Sequence, residues 1–266
     1  MVDGGQGDAG PLSLGQLLRS ETVFAFWSVV PNQHLVEAVT CAGYGGIVID
    51  AQHGLHDFAS IERLVPSIVS CGAGALVRLP LGDLALGARA LDVGCAAVIV
   101  PMVNTPDEAK AAVAAMKYPP MGARSFGPLR GLAYSGLERT DYVHRANHIT
   151  TLFAMIETEP ALRNLEAIAA VEGIDGLFVG PNDLAVSLTR GHGADPAHPL
   201  VTQAVEKVRL QCVRHGKIAA IYANTPELAR DYAGRGYRLV AMGNEMSFAA
   251  AGAAAALSGA RGAASN

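Results

Sequence analysis

The sequence is poor in aromatic residues, in charged residues and in long apolar runs, and each shortage excludes a class of protein. Aromatic side chains make up 6% of the 266 residues and charged side chains 17%, with a formal net charge of −4. A weakly acidic chain is a poor partner for nucleic acid, so we expect none. No apolar run reaches the roughly 18 residues of a transmembrane helix, so we also expect no membrane segment.

Cysteine is scarce as well. The four residues, Cys41, Cys71, Cys95 and Cys212, are far apart and include no Cys-x-x-Cys pair, which argues against a zinc or redox motif. Because they lie in or beside apolar segments, we expect reduced cysteines in the core of a cytoplasmic protein. No basic residue precedes Arg19, which also argues against an export signal.

Half of the residues are hydrophobic, enough for a large core. Short apolar runs alternate with amphipathic segments at a spacing of about 28 residues, the length of one βα unit. We therefore predict a single-domain (β/α)₈ TIM barrel, with a doubly wound open sheet as the alternative that lacks its usual Gly-rich loop. The predicted strands are Thr22–Val30, Gly46–Asp50, Ala75–Leu79, Ala96–Met102, Thr151–Glu157, Gly176–Gly180, Lys217–Tyr222 and Tyr237–Gly243.

The two ends of the sequence differ in composition from its middle. We assign residues 1–12 to a flexible N-terminal tail, residues 13–250 to the barrel, and residues 251–266 to an Ala/Gly-rich C-terminal tail. Between the fourth and fifth predicted strands, residues 118–147 show the least regular pattern, and we expect a long loop with a short helix there. Long loops in barrels are often functional.

Ionisable residues follow several of the predicted strands, where the active sites of such barrels form. Glu157 and Asp183 follow two neighbouring strands, which predicts two carboxylates at one point. Such a pair requires a proton or a cation, and an all-oxygen site suits Mg²⁺ or Mn²⁺. The alternative is that each carboxylate only caps the helix that follows it.

A possible proton-transfer group follows the second strand. Asp50 ends that strand and His53 lies three residues later, so the carboxylate can accept from one ring nitrogen and leave the other as a base. His56 has no comparable strand-end partner. Arg78 ends the third strand and needs an anion, either Asp50 in a structural salt bridge or a substrate oxyanion.

The sequence gives little support to catalysis by a covalent nucleophile. Lys110, Lys117 and Lys207 fall in predicted helices and Lys217 starts the seventh strand, so no lysine is placed to form a Schiff base. The sequence also has no Gly-x-Ser-x-Gly elbow and no P-loop, which argues against a serine hydrolase or a nucleotide hydrolase. Activation by a metal is the better hypothesis.

Several short motifs, in this order, resemble those of the HpcH/HpaI aldolase family, and the resemblance covers about residues 15 to 250. They are Ile49-Asp50-Ala51-Gln52-His53, Val77-Arg78, Leu91-Asp92-Val93-Gly94, Val100-Pro101-Met102-Val103, Tyr118-Pro119-Pro120-Met121-Gly122-Ala123-Arg124, Ile156-Glu157-Thr158 and Phe178-Val179-Gly180-Pro181-Asn182-Asp183-Leu184.

The resemblance implies a (β/α)₈ barrel and a class II aldolase that forms or cleaves 4-hydroxy-2-oxo acids through a pyruvate enolate and an aldehyde. It implies that a divalent cation, Mg²⁺, Mn²⁺ or Co²⁺, is held by two carboxylates, that a histidine–aspartate dyad transfers protons, and that an arginine faces the keto oxygen. A further aspartate is expected to reach a neighbouring subunit, within a homohexamer or trimer of dimers that exchanges C-terminal helices. The matching residues are Glu157 and Asp183, His53 and Asp50, Arg78, and Asp92.

Two positions depart from the family pattern. Met155 stands where many members have Gln, and Gln52 stands where Glu often precedes the histidine. Two other functions stay open: decarboxylation of oxaloacetate as in macrophomate synthase relatives, or, because of Met155, a barrel that has lost catalysis and serves as a binder. An acyl-CoA lyase is less well supported, since no basic cluster is predicted at the mouth of the barrel.

Overall fold

Eight parallel strands form a closed barrel in the computed structural model, which describes residues 14–262. Each strand pairs with the next, and pairing of Val23 with Leu239 closes the barrel between the first and last strands. The strands are β1 Val23–Ser28, β2 Gly46–Asp50, β3 Gly74–Arg78, β4 Ala97–Val100, β5 Thr151–Ile156, β6 Gly176–Val179, β7 Ile218–Ala223 and β8 Leu239–Met242. The predicted barrel is confirmed, and every predicted strand overlaps one of these.

Helices connect the strands and cover the outside of the barrel. Most begin at a side-chain cap, such as Thr105, whose hydroxyl accepts from the N–H of Glu108 in a capping box. They are α1 Leu14–Ser20, α2 Gln33–Cys41, α3 Phe58–Ser70, α4 Leu84–Asp92, α5 Pro106–Met116, α6 Arg130–Ser135, α7 Arg139–Ile149, α8 Glu159–Arg163, α9 Leu165–Ala169, α10 Pro181–Leu188, α11 Pro199–Arg214, α12 Pro226–Gly234 and α13 Glu245–Arg261.

The segment between β4 and β5 is more regular than predicted. Instead of a long loop with one short helix, it contains α6 and α7, the second of them 11 residues long. The Gly136 backbone at the end of α6 is left-handed, and a glycine there ends the helix without strain. The helical pattern of α7 is hard to recognise because only Tyr142 and Ala146 of this helix are buried.

Two apolar layers hold the barrel together. The inner layer fills the barrel and includes Trp27, Phe153 and Phe178, while Leu14 and Leu18 of α1 join it at the amino-terminal end. The outer layer lies between strands and helices, so both faces of the strands are buried and continuous apolar runs are favoured. This rigid frame leaves the carboxyl ends of the strands as the open end of the barrel.

The prediction that all four cysteines lie in the core is correct for only two of them. Cys95 and Cys212 are buried, but Cys41 is exposed and Cys71 is half-exposed. The two exceptions lie at the ends of α2 and α3, where apolar neighbours in sequence do not share one buried face. Apolar sequence context therefore did not predict burial at these helix ends.

The two predicted tails are described only in part. The predicted tail of residues 1–12 lies outside the described residues, and so do residues 263–266 of the C-terminal one. Residues 251–261 of that tail belong to helix α13. Within residues 14–262, no helix is long and apolar enough to cross a membrane.

Candidate active site

A cavity of about 280 Å³ opens at the carboxyl ends of the strands. Four of the six predicted site residues lie in or beside it: His53, Arg78 and Asp183 line the cavity, and Asp50 is hydrogen-bonded to Arg78. The fifth, Glu157, contacts the cavity residue Gly180 closely enough that a Cβ on this glycine would lie 2.7 Å from Oε2 of Glu157. Gly180 thus lets the segment after β6 approach Glu157.

Glu157 is a buried carboxylate that lies near a second carboxylate, Asp183. It follows β5 and is 2% exposed, and its Oε1 accepts a 2.6 Å hydrogen bond from the backbone N–H of Met102. Burial, together with the nearby Asp183 carboxylate, raises the pKa of Glu157 to about 7, although the N–H of Met102 opposes this rise. The predicted meeting of the two carboxylates is present, and it leaves a site that favours a proton or a cation.

The donor set fits a small hard cation. Among residues 14–262, no group of three or more His, Cys, Asp and Glu side chains forms a metal-binding cluster. The chain therefore offers two carboxylates, Glu157 and Asp183, and leaves the other positions of an octahedral ion to water and substrate. A cation between them would remove the repulsion that raises the pKa of Glu157.

Asp50 and Arg78 form a buried ion pair. Asp50 is one of the two anions that the sequence analysis proposed for Arg78. They lie side by side in the register of β2 and β3, and Nε and Nη2 of Arg78 donate to Oδ1 and Oδ2 of Asp50 over 2.9 and 2.6 Å. Nε1 of Trp27 also donates to Oδ2 at 3.1 Å. Burial alone would raise the pKa of Asp50, but Arg78 holds it below its ordinary value.

The predicted hydrogen bond between Asp50 and the imidazole of His53 is not formed. Oδ1 of Asp50 instead accepts the backbone N–H groups of Gln52 and His53, at 3.0 and 3.2 Å. The carboxylate is already used by Arg78 and Trp27, so it orients the loop rather than the ring. The side chain of His53 is exposed and lines the cavity.

His56 contacts a strand-end residue, Ser28, although the sequence predicted no strand-end partner for it comparable to Asp50. It is buried, and its Nε2 lies 3.1 Å from Oγ of Ser28, the last residue of β1, while Nδ1 lies 3.3 Å from Oγ of Ser60. Ser28 donates to Glu245 at 2.5 Å, and the N–H of Val29 donates to the same carboxylate at 2.8 Å. This network ties α13 and α3 to the end of β1.

Asp92 is the predicted site residue that the chain does not bring to its own cavity. It ends α4, so it lies at the amino-terminal end of the barrel, and its Oδ1 accepts a 2.6 Å hydrogen bond from Nη2 of Arg124. Partial burial raises the pKa of Asp92, and Arg124 opposes this rise. Any role in catalysis would require the cavity of another subunit.

Sequence reasoning missed the neutral polar side chains of the cavity. Asn182, Tyr222, Asn224 and Asn244 lie at or just after the ends of β6, β7 and β8, and Nδ2 of Asn224 donates to Oδ1 of Asn182 at 3.0 Å. Their strand-end positions are a usable signal, but a side chain that is neutral at pH 7 has no charge to distinguish it in the sequence. Trp27, which stacks with Arg78 at 4.8 Å, was missed as an apolar strand residue.

The cavity lining also includes a position that departs from the family pattern. Met155 lies in the cavity wall, where its thioether supplies no strong hydrogen bond. No lysine lines this cavity in the described part of the chain. Lys117 is buried at the opposite end, paired with Asp175 at 2.7 Å, and Lys217 donates to the carbonyls of Val171 and Ile174.

Known proteins resemble this chain over most of its length. A sequence profile of the HpcH/HpaI aldolase/citrate lyase family matches residues 24–251. A hydroxypyruvate/pyruvate aldolase of Cupriavidus necator is 36% identical over 85% of this chain and 84% of its own length. A 2-dehydro-3,6-dideoxy-6-sulfogluconate aldolase of Pseudomonas putida is 36% identical over 86% and 89%. The crystal structure of a family protein from Burkholderia cenocepacia has a TM-score of 0.85 and 32% identity, covering 94% of this chain and 99% of that one.

Proposed function

The chain belongs to the HpcH/HpaI aldolase/citrate lyase family, and on this premise we propose that it is a class II aldolase joining a 2-oxo acid to an aldehyde. The reaction is reversible, so the same site cleaves 4-hydroxy-2-oxo acids. The observation that carries the proposal is the pair Glu157 and Asp183 beside His53 and Arg78 at one end of the barrel. Aldolase activity is what the related proteins named above share.

We assign Glu157 and Asp183 to a divalent cation, Mg²⁺, Mn²⁺ or Co²⁺. Such an ion supplies Lewis-acid polarisation of the keto group of the 2-oxo acid, which makes the neighbouring carbon more acidic. Glu157 is prepared for this role because its burial disfavours a lone negative charge. The backbone N–H of Met102 fixes the orientation of the carboxylate that would hold the ion.

Arg78 stabilises the negative charge that develops on the substrate. Asp50 engages Nε and Nη2 of the guanidinium, and Trp27 packs on its face, so the side chain is held without rearrangement. The donors of Nη1 remain for the oxygen of the keto group or enolate. A cation fixed in advance lowers the energy of a charged transition state, because little reorganisation is needed.

His53 moves the proton between the substrate carbon and solvent. Its ring lines the cavity, and an imidazole can both accept and donate a proton through its ring nitrogens. Asp50 acts on it through the backbone of the loop, by accepting the N–H of His53. Once the proton has left the methyl carbon, the enolate carbon attacks the carbonyl carbon of the aldehyde, and the new alkoxide takes up a proton.

The aldehyde lies beside the amides of Asn182, Asn224 and Asn244. Neutral amides donate to and accept from hydroxyl groups without requiring charge on the ligand. Arg78 is the only cation lining this cavity in residues 14–262, and Asp50 already balances its charge. We therefore favour a hydroxylated, uncharged acceptor over an acidic one.

We also propose that the chain forms a homo-oligomer, either a hexamer or a trimer of dimers. Asp92 lies at the far end of the barrel from its own cavity, so a role in catalysis needs a second subunit. Helix α13 exposes Met246 and Leu257, which are 65% and 50% exposed, and other copies of the chain would cover them. Sedimentation at several concentrations measures the assembly directly.

The deciding experiment follows the methyl NMR signal of pyruvate in D₂O, with Mg²⁺, Mn²⁺ or Co²⁺ added. Loss of this signal measures proton transfer and needs no aldehyde. We expect metal-dependent exchange in the wild type and almost none after chelator treatment. Exchange that survives thorough chelation would overturn the metal assignment, and no exchange with any metal would favour a binding protein. Release of CO₂ from oxaloacetate without exchange of pyruvate would favour a decarboxylase.

A further inference from the structure

Two thiols face each other on the outside of the barrel. Cys41 is the last residue of α2 and Cys71 follows the last residue of α3, and their sulfur atoms are 3.4 Å apart. Cys41 is exposed and Cys71 half-exposed, so both can be reached by small molecules. Because both helices run antiparallel to the strands, the pair lies at the amino-terminal end, away from the cavity.

The other two thiols are protected from the same chemistry. Cys95 and Cys212 are buried, and burial raises the pKa of each to about 12. The thiolate is the reactive form, so these two residues are nearly inert at neutral pH. Any mild oxidation of the folded protein is thereby directed to Cys41 and Cys71.

We propose that Cys41 and Cys71 form a reversible disulfide that joins α2 to α3. The geometry requires only a small adjustment, since the sulfur atoms must approach by about 1.4 Å to reach bonding distance. Both residues lie at helix ends, where side chains reorient with little disturbance of the core. Nothing in the aldolase reaction requires this bond, so it is a separate modification site.

The oxidant is a low-molecular-weight disulfide such as oxidised glutathione. The thiolate of Cys41, the more exposed residue, attacks it, forms a mixed disulfide and releases one small thiol. The thiolate of Cys71 then attacks the Cys41 sulfur and releases the second small thiol. Two protein thiols lose two electrons and two protons, and the small disulfide is reduced to two thiols. Only the thiolate form of Cys71 attacks, so the second step speeds up as the pH rises.

The bond would close a segment of the chain that carries part of the active site. Cys41 and Cys71 are 30 positions apart, and the segment between them contains β2, Asp50 and the loop of His53. Cross-linking restricts the unfolded chain, so the oxidised protein should unfold at a higher temperature. The cavity lies at the other end of β2, so turnover should change little.

The test compares full-length protein incubated with dithiothreitol or with oxidised glutathione. Thiol titration under denaturing conditions should fall from four per chain to two. Trypsin, which cleaves after Arg19, Arg63 and Arg78, should release residues 20–63 and 64–78 as one cross-linked species from the oxidised sample only. The unfolding temperature should rise by several degrees and return after reduction.

The matched controls are Cys41→Ser and Cys71→Ser, which keep the size of the side chain. Each should lose the cross-linked peptide and the thermal shift, and should instead retain a mixed disulfide with glutathione. Four titrated thiols after oxidation, a cross-link between two chains, or an equal thermal shift in the serine variants would overturn the proposal. None of these outcomes depends on aldolase activity.

Discussion

The backbone N–H of Met102 donates to Oε1 of Glu157 from a left-handed conformation, with φ at 55° and a donor–acceptor distance of 2.6 Å. Residues other than glycine rarely adopt this backbone conformation. Such strain is found mainly where function demands a particular geometry. The hydrogen bond lowers the pKa of Glu157, but burial and Asp183 raise it more strongly. Proton and cation therefore compete for the same carboxylate at neutral pH.

This competition predicts how pH and metal act together on stability. The pKa of Glu157 is about 7 in the folded protein and 4.5 in its ordinary state. The stabilisation from its proton is present below pH 4.5 and is lost as the pH rises through 7, in metal-free protein. Mn²⁺ should therefore raise the unfolding temperature more at pH 8 than at pH 6, as scanning calorimetry would measure.

Glu157→Gln is the control for that measurement. Its amide carries no charge at either pH, so the metal-free variant should be more stable than the wild type at pH 8 and respond little to Mn²⁺. We expect deuterium exchange into pyruvate to fall by a factor of about 1,000 or more, because several kcal/mol of charge stabilisation are lost. An unchanged Mn²⁺ response would show that the ion binds elsewhere.

The two neighbouring histidines should separate catalysis from stability. His53→Ala removes a side chain that lines the cavity and should slow exchange about 100-fold or more, with a normal unfolding temperature. His56→Ala removes a buried ring that is hydrogen-bonded to Ser28 and Ser60 and should cost about 1–3 kcal/mol of folding free energy. Denaturant unfolding and NMR exchange on both variants measure this contrast, and equal effects on both quantities would contradict the assignment.

The Asp50–Arg78 pair predicts a non-additive double mutant. Asp50→Asn leaves a buried guanidinium without its counter-charge and should cost about 3 kcal/mol or more of folding free energy. Adding Arg78→Met removes the unpaired charge and should restore much of that stability, while deuterium exchange into pyruvate is abolished because the guanidinium is gone. If the double variant is as unstable as the sum of the single ones, the pair is not the source of the cost.

The amide residues predict which aldehydes are accepted. The ratio of kcat/KM for glycolaldehyde over propanal should exceed one in the wild type, and Asn224→Leu should lower that ratio about fivefold to tenfold, the effect of one hydrogen bond. Asn224→Gln keeps the amide and is the matched control. Mass spectrometry of the products gives the ratio, and a strong preference for glyoxylate would contradict the neutral acceptor.

The sequence predicted best where position along a strand decides the outcome. Asp50 and Arg78 end adjacent strands, so their pairing follows from parallel register. Glu157 and Asp183 follow the adjacent strands β5 and β6, so both lie at the carboxyl end of the barrel. The same rule places Asn224 and Asn244 at the cavity, but neutral amides carry no signal of chemistry by themselves. Their role depends on what lies opposite.

Contacts between distant segments could not be predicted. Ser28 and Glu245 are 217 positions apart, and their hydrogen bond depends on how the last helix returns to the first strand. Likewise, the contact of Cys41 with Cys71 depends on the rotation of two helices about their axes. The assumed ring contact of His53 failed for a local reason, because Arg78 and Trp27 already occupy the carboxylate of Asp50.

Glu245, near the end of the sequence, completes the active-site end of the barrel. Its carboxylate holds Ser28 and Val29 at the start of the barrel, and Asn244 before it forms part of the cavity wall. During translation, these hydrogen bonds at the carboxyl end of β1 therefore cannot form until nearly the whole polypeptide has been synthesised. A nascent chain that stops short of the final helix can contain every predicted catalytic residue and still lack a finished active site.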